Sequence, residues 1–364
     1  MDVTEPKMCP KCRSQRRWAH TNQINLYKRK CDVTGKDVVS MYSQDNPIKV
    51  YNQDYWFGDK WSELDFGRDF DFNRPFFEQL HELSLAVPRP SLQTSYKFNE
   101  NSEYTNHAGF NKNCYMIFDS DYDWDCCYGH GVNKSKNCID NTRIKECELC
   151  FECVDCVKCH SIKYSQDCDN CSGSAFLKNC IGCKNCFMCS NLKNKEYFIC
   201  NKKYDKETYE KLINSLSKHS ELQKYMNDWD KFKLQFPQKY IHGVQNENVT
   251  GDYLVYSKNS DYCFDSMELW DCKYFTRSFG EAKDCMDCDE CGDKIQNLYD
   301  CILCGYNMQN FRFCYQCFQQ SHDLDYCIDS NFSSNCFGCI GLRRKKYCIF
   351  NKQYSKEEYE NLKN

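Results

Sequence analysis

Residues 147–171 read CELCFECVDCVKCHSIKYSQDCDNC. Two Cys-x-x-Cys turns, Cys147 with Cys150 and Cys168 with Cys171, stand 21 residues apart, and the step recurs outward through Cys126, Cys147, Cys168 and Cys189 and through Cys138, Cys159 and Cys180. A second cysteine-rich stretch steps by 22 or 23, from Cys263 to Cys285, Cys291 to Cys314, Cys304 to Cys327, Cys314 to Cys336 and Cys317 to Cys339. A period of roughly 20–25 residues is the mark of a solenoid with one coil per repeat. The segments lack a leucine-rich frame and hold too little Ala and Leu for paired helices. Their short, polar, Asn-, Asp- and Gly-rich character predicts a mainly β fold, a right-handed parallel β-helix whose like residues stack about 4.8 Å apart.

The two stretches are copies. At an offset of 150, Cys186, Cys189, Leu192, Tyr197, Asn201, Lys202, Tyr204, Tyr209 and Leu212 match Cys336, Cys339, Leu342, Tyr347, Asn351, Lys352, Tyr354, Tyr359 and Leu362. WDCCY at 124–128 matches WDCKY at 270–274. Each copy is expected to end in a capping helix, with Asp205 as the first N-cap and the Ser355-x-x-Glu358 capping box opening the second.

The remaining organisation follows from where cysteine is absent. Three of the 32 cysteines lie in residues 1–31, none in 32–113, sixteen in 114–200 and thirteen in 263–348. The expected order is a zinc-ribbon or treble-clef-like module (1–45), an aromatic connector with a short helix at FFEQLHELSL (46–100), a first solenoid lobe (101–204), a helical bridge (205–248), a second lobe (249–354) and a terminal helix (355–364). The connector's aromatics, including Trp56, Trp61, Phe70 and Phe76, read as a local core that docks the ribbon on the next lobe.

The thiols set the chemistry. No apolar leader or membrane-length run is visible, so reduced thiols, metal ligation and a cytoplasmic location are expected rather than a disulfide framework or a membrane span. Cys9-Pro-Lys-Cys12 is a knuckle that aims two thiolates at one ion, and Cys31 supplies a third donor. Thr34 stands where a ribbon has its fourth, leaving His20, Asp32 or Asp54 to substitute. In the lobes, a coil-long step would bring Cys147, Cys150, Cys168 and Cys171 into one quartet and Cys314, Cys317, Cys336 and Cys339 into another. Each is a candidate for zinc, or alternatively for iron or an iron–sulfur cluster. For most lobe cysteines the competing reading is packing, since cysteine is a small, readily buried residue.

CPKC (9–12), RKCDVTGK (29–36), VYNQDYWFGDKW (50–61), GRDFDFNRPFFEQ (67–79) and the NKxY tails at 201–204 and 351–354 resemble an uncharacterised family of candidate-phylum bacteria. The resemblance spans nearly the whole chain. It implies an intracellular zinc ribbon joined to cysteine-rich repeats, and no activity.

The net charge of −4 argues against a chain that traps nucleic acid over its whole surface. The N-terminal module is basic, however, and Arg16, Arg17, Trp18, Lys28, Arg29 and Lys30 are the candidate contacts to phosphate and base. There is no phosphate loop, no Gly-x-Ser-x-Gly and no His-Glu-x-x-His. The sequence therefore points to a zinc-binding repeat scaffold with a protein or ribonucleoprotein partner. Metal storage, or a redox role for the quartets, is the alternative.

Overall fold

The computed structural model describes residues 7–216, 222–270, 272–273, 275–279, 288–291, 299–302 and 321–363. The chain is mainly β and forms a β-solenoid. Parallel strands follow one another from Thr94 to Ile199, and in a second run the described residues place them over 243–291 and 322–349; helices α4 (Lys206–Leu216) and α5 (Leu222–Lys233) lie between the two runs.

The register gives the coil. Tyr115 pairs with Cys127 and Cys127 with Ile139; Ser172 pairs with Lys184 and Lys184 with Glu196; Ser334 pairs with Lys346. Each of these residues meets the one twelve positions on; at the start of the second run the step is eleven, Gly243 pairing with Leu254 and Glu247 with Lys258. Within a coil the backbone turns every third residue: Met116, Asp119, Tyr122, Asp125 and Tyr128 have φ between 52° and 62°. The residue after each corner points inward, so that Cys114, Ile117, Ser120, Asp123 and Cys126 are at most 2% exposed. A coil is thus four sides of three residues, with one inward side chain per side.

Left-handed corners at non-glycine residues cost about 1–2 kcal/mol each, and asparagine and aspartate, which bear them best, occupy many. The offset is a backbone bonded to both neighbouring coils. Asp125 donates its amide to the Lys112 carbonyl at 2.9 Å, while the amide of Trp124 donates to Ser135 at 3.0 Å.

This corrects the expected coil of 21 to 23 residues. Inward positions recur every third residue, so a step of 21 returns an inward cysteine, but three sides further round. Cys168 therefore stacks on Cys156 and Cys171 on Cys159, while Cys159 also covers Cys147. In the second run Cys336 lies under Cys348 and Cys339 on Cys327. The first quartet is not assembled as the spacing suggested; Cys314 and Cys317 of the second lie outside the described residues. One rung of the second run is longer, Thr276 pairing with Asp289 and Ser278 with Cys291, thirteen residues on. That extra residue contributes to the longer step read from the sequence there.

Both runs end alike. Lys202–Lys203 and Lys352–Gln353 fold back antiparallel on the last strand. Asn201 closes the final rung by accepting the Ser190 amide and donating to its carbonyl, both at 2.9 Å. Asn351 treats Ile340 identically, at 2.8 Å for both bonds. Tyr209 then packs on Tyr197, and Tyr359, in helix α6 (Lys356–Lys363), packs on Tyr347. The capping box is formed, Ser355 and Glu358 exchanging backbone-to-side-chain bonds of 2.8 and 3.2 Å.

Ahead of the solenoid lie α1 (Pro10–Trp18), a hairpin of Tyr27–Lys30 with Asp37–Ser40, and helices α2 (Gln53–Trp56) and α3 (Phe76–Ala86). The aromatic connector is a local core that meets the start of the first run, Gln53 bonding Thr94 at 2.7 Å and Phe57 stacking on Tyr96, and that also docks on the last coils of the second. Phe76 packs against Tyr326, Phe337 and Phe350. The Arg343 guanidinium lies 4.6 Å from the Trp61 ring, bonds the carbonyls of Trp56, Gly58 and Trp61, and pairs with buried Glu63 at 3.1 Å.

Candidate functional site

A coil of twelve residues encloses a narrow bore, and small side chains fill it. Cys138, Cys147, Cys150, Cys153, Cys156 and Cys159 are at most 2% exposed. Each thiol lies within hydrogen-bonding distance of the carbonyl two residues before it, for instance Cys138 to Lys136 at 3.2 Å and Cys159 to Val157 at 3.3 Å. A second carbonyl nine residues ahead stands at 3.7 and 3.6 Å respectively. Serine does the same in the same lattice: Ser135 donates to Asn133 at 3.0 Å and Ser165 to Lys163 at 2.8 Å. A position that accepts either hydroxyl or thiol, bonded to the same kind of carbonyl, calls for a protonated donor of small volume. Burial pushes the Cys263 thiol up to about 12, whereas hydrogen bonds from neighbouring thiols, Cys126 to Cys138 and Cys150 to Cys147, lower the pKa of Cys138 and Cys147. Cys147, Cys150, Cys168, Cys171, Cys336 and Cys339 all belong to this thiol-lined bore.

The N-terminal cysteines differ. Cys9 precedes α1 with Pro10 at its first turn, and the exposed sulfurs of Cys9 and Cys12 are 3.2 Å apart. The Cys12 amide, followed by its thiol, lowers the Cys9 pKa. Cys31 is buried at the hairpin turn. Burial opposes its ionisation, but the Thr34 hydroxyl and the amides of Asn52, Thr34 and Val33 outweigh it, so its pKa is lowered. Asn52 donates to this sulfur at 3.3 Å. Amides converging on a sulfur suit a thiolate ligand. Among the described residues, however, no group of three or more His, Cys, Asp or Glu side chains is gathered to hold a metal ion. Cys9 and Cys12 come together; Cys31 is not grouped with them.

The basic candidates are largely engaged. Arg17, 4% exposed, pairs with Asp289 at 2.6 Å and Asp300 at 3.0 Å, and Arg16 also reaches Asp300. Arg29, 5% exposed, bonds the Ser43 carbonyl and Asp32, each at 3.0 Å. Burial removes Arg17 and Arg29 from the expected phosphate-contacting set, because their guanidinium groups neutralise the protein's own carboxylates. Trp18 is half-buried; Lys28 and Lys30 are exposed, Lys30 beside Asp37 at 2.7 Å.

A surface feature escaped the sequence reading. Phe98, Phe110 and Tyr122, twelve residues apart, stack in a column with centroids 4.8 and 4.7 Å apart, and each is at least 40% exposed. Tyr115, Trp124 and Tyr128 stand exposed on the same coils. The signal was present as an aromatic every twelfth residue, but it is visible only once the coil length is known.

A joint between the two runs was also missed. Arg143 pairs with Asp155 at 2.9 Å and with Asp265, and the Tyr253 hydroxyl donates to Asp167 at 2.8 Å. His242 stacks on Tyr253 at 4.5 Å.

No family model matches the chain, and no curated protein does. One solved structure with some likeness is a "putative acetyltransferase" from Desulfovibrio desulfuricans G20, at 10% identity, covering 72% of this chain and 68% of that one, with a TM-score of 0.13. A superposition of that quality carries no argument about fold or activity.

Proposed function

We propose that the chain is a rigid interaction scaffold: two duplicated, right-handed β-helical lobes behind a small zinc-binding module, presenting an aromatic face to a protein partner. The observation that carries this is the solvent-facing Phe98–Phe110–Tyr122 column. Exposed aromatics held in fixed register on a hydrogen-bonded frame lose little conformational freedom on docking, which is what interface anchors need. Matching asparagine closures at Asn201 and Asn351 support the duplication.

Zinc, on this reading, would draw Cys31 to the Cys9–Cys12 pair, with a fourth donor from the solvent or the partner, and would fix the module's fold. Nucleic acid, where it is part of the partner, meets Arg16, Lys28 and Lys30. Crosslinking of the native complex tests the scaffold. Crosslinks concentrated on residues 98–128, and lost in a Phe110→Ser/Tyr122→Ser double variant that keeps its circular dichroism, support it. Crosslinks spread evenly over the surface, or unchanged in the variant, overturn it. Elemental analysis tests the module: about one zinc per chain, lost in Cys9→Ser, is expected.

A further inference from the structure

Helix α5 carries Tyr225, Met226, Trp229 and Phe232 as an apolar stripe, and that stripe covers one outer side of the first run. Trp229 meets Phe176 with ring centroids 6.3 Å apart, and Tyr225 meets Phe187 at 5.6 Å. In the second run a different helix covers the same side. At the 150-residue offset Phe176, Phe187 and Cys200 become Tyr326, Phe337 and Phe350. All three pack against Phe76 of α3, at 4.9, 5.2 and 5.5 Å. One side of the solenoid thus seats a helix twice in one molecule, and the two helices, LQKYMNDWDKFK and FFEQLHELSLA, are unrelated in sequence.

Toward the start of the first run that side continues without a helix among the described residues. Tyr115, Cys127, Ile139 and Phe151 pair from rung to rung, and the same register runs on through Lys163 and Ala175 to Phe187 beneath α5. Tyr115 touches Tyr104 at 5.4 Å and Tyr128 at 5.7 Å. Tyr115, Tyr128, Ile139 and Leu149 are each more than 40% exposed. From Tyr115 to Phe151 the three rungs span about 14 Å, roughly two and a half turns of helix. The segments that form this side, 101–104, 113–116, 125–128, 137–140 and 149–152, carry Glu103, Asp125, Asp140 and Glu152 and no lysine or arginine. Their backbone is already paired coil to coil, the Tyr115 amide donating to Cys126 and that of Cys127 to Cys138, both at 3.0 Å. An added strand finds no ladder to join, whereas a helix arrives with its own backbone bonds made.

We propose that this uncovered stretch docks an amphipathic helix of a partner protein, whose apolar stripe lies on Tyr115, Tyr128 and Ile139 and whose basic flanks face Asp125, Asp140 and Glu152. The occupant follows from continuity with the seat of α5, and its charge from the four unopposed acids. The surface is separate from the Phe98–Phe110–Tyr122 column, which runs along a corner a full side of the coil away. The two contacts can therefore be lost independently.

The probe is a fluorescent peptide of Leu222–Lys233, stapled at the positions of Gln223 and Asn227 to hold it helical, since an isolated helix of this length is marginal. Its stripe already seats on this side, and it carries three lysines against two aspartates. Fluorescence anisotropy with the full chain should show saturable binding. Tyr128→Asn/Ile139→Thr should weaken it at least about tenfold; asparagine suits the left-handed corner at Tyr128, φ 55°. Phe110→Ser/Tyr122→Ser should leave it unchanged, which keeps this result apart from that of the column. A probe with its three lysines changed to glutamate should bind at least about threefold more weakly, and Asp140→Lys should weaken the parent probe and restore the reversed one. Absence of saturation overturns the proposal. So does equal affinity in Tyr128→Asn/Ile139→Thr, which would mean that the probe only exchanges with α5 in its own seat. Self-association of the full chain that disappears in that variant would put a second copy on the surface and overturn it too. Should the double variant lose its circular dichroism, the charge swap at Asp140 decides: no effect on either probe refutes the docking.

Discussion

The amide of Cys147 donates to the hydroxyl of Ser135, one coil below it, at 3.2 Å, while that hydroxyl donates to the Asn133 carbonyl. Serine and cysteine occupy consecutive levels of one inward column. This column takes small or polar side chains, whereas the other inward columns also take Ile117, Ile144, Ile162 and Leu177. Cys147→Ser or Cys150→Ser should fold and lose about 0.5–1.5 kcal/mol. Cys147→Leu should cost more, about 1–3 kcal/mol, because Ser135 below it and Cys159 above it are small and the column has no room for a branched side chain. Urea midpoints check both. A serine variant that fails to fold would count against the packing account and for a ligand role.

Asp123 occupies that column one coil lower still. It accepts the Ser135 amide at 2.8 Å, and Oδ2 finds no hydrogen-bond partner among the described residues. Burial raises its pKa to about 9. The unfolded chain then loses this proton near pH 4 and the folded chain only near 9. The stabilisation is complete below about pH 4 and falls as pH rises toward 9. Asn111, one coil below Asp123, fills the equivalent place as a neutral amide, accepting the Asp123 amide at 2.8 Å and donating to the Ser120 carbonyl at 2.9 Å. Asp123→Asn should thus match the parent at pH 4 and surpass it increasingly up to pH 9. Thermal melts across that range would show the two curves separating; parallel curves would refute the buried neutral acid.

Arg343 joins the aromatic connector to the last coils through Glu63 and three carbonyls. Arg343→Lys keeps the charge but not the fork, and should lose roughly 2–3 kcal/mol; Arg343→Ala strands Glu63 and should lose about 3–5. Denaturation monitored by the fluorescence of Trp56 and Trp61, whose rings lie 5.5 and 4.6 Å from the guanidinium, reports it. An unchanged midpoint would show that the connector is not held there.

Gly251 has φ +131°, and a β-carbon there would stand 1.6 Å from the Cys263 carbonyl oxygen. It sits where the register shifts after Val249. No side chain fits, so Gly251→Ala should open the first coils of the second run, seen as faster amide exchange at Leu254 and Cys263. Unaltered protection would mean that the bulge relaxes freely.

Much of the architecture was legible. The 150-residue offset marked equivalent closures at Asn201 and Asn351, and Ser355 with Glu358 marked a helix start that the structure contains. The coil was misread for a physical reason. Cysteine marks the inward direction every third residue, so a cysteine pattern reports the side length and leaves the number of sides open. The outward columns, such as Phe98–Phe110–Tyr122 and Asn101–Asn113–Asp125, carry the twelve. Arg17 and Arg29 were read as surface charge because their partners, Asp289 and Asp300 for one and the Ser43 carbonyl for the other, are distant or belong to the backbone. The packing of Trp229 over Phe176 and Met188 depends on where a helix lies over the corners, which periodicity cannot place.

The three-residue side has a consequence for how such a chain tolerates changes in length. An insertion of three residues rotates everything after it by a quarter turn and still points every thiol and serine inward; twelve add a whole storey without disturbing the columns. One or two residues turn the bore inside out unless they are taken up locally, and the rungs that depart from twelve, Glu247 to Lys258 at eleven and Thr276 to Asp289 at thirteen, differ by a single residue. Growth and loss in this molecule are therefore expected in triplets of amino acids, nine nucleotides at a time, with exceptions confined to bulges.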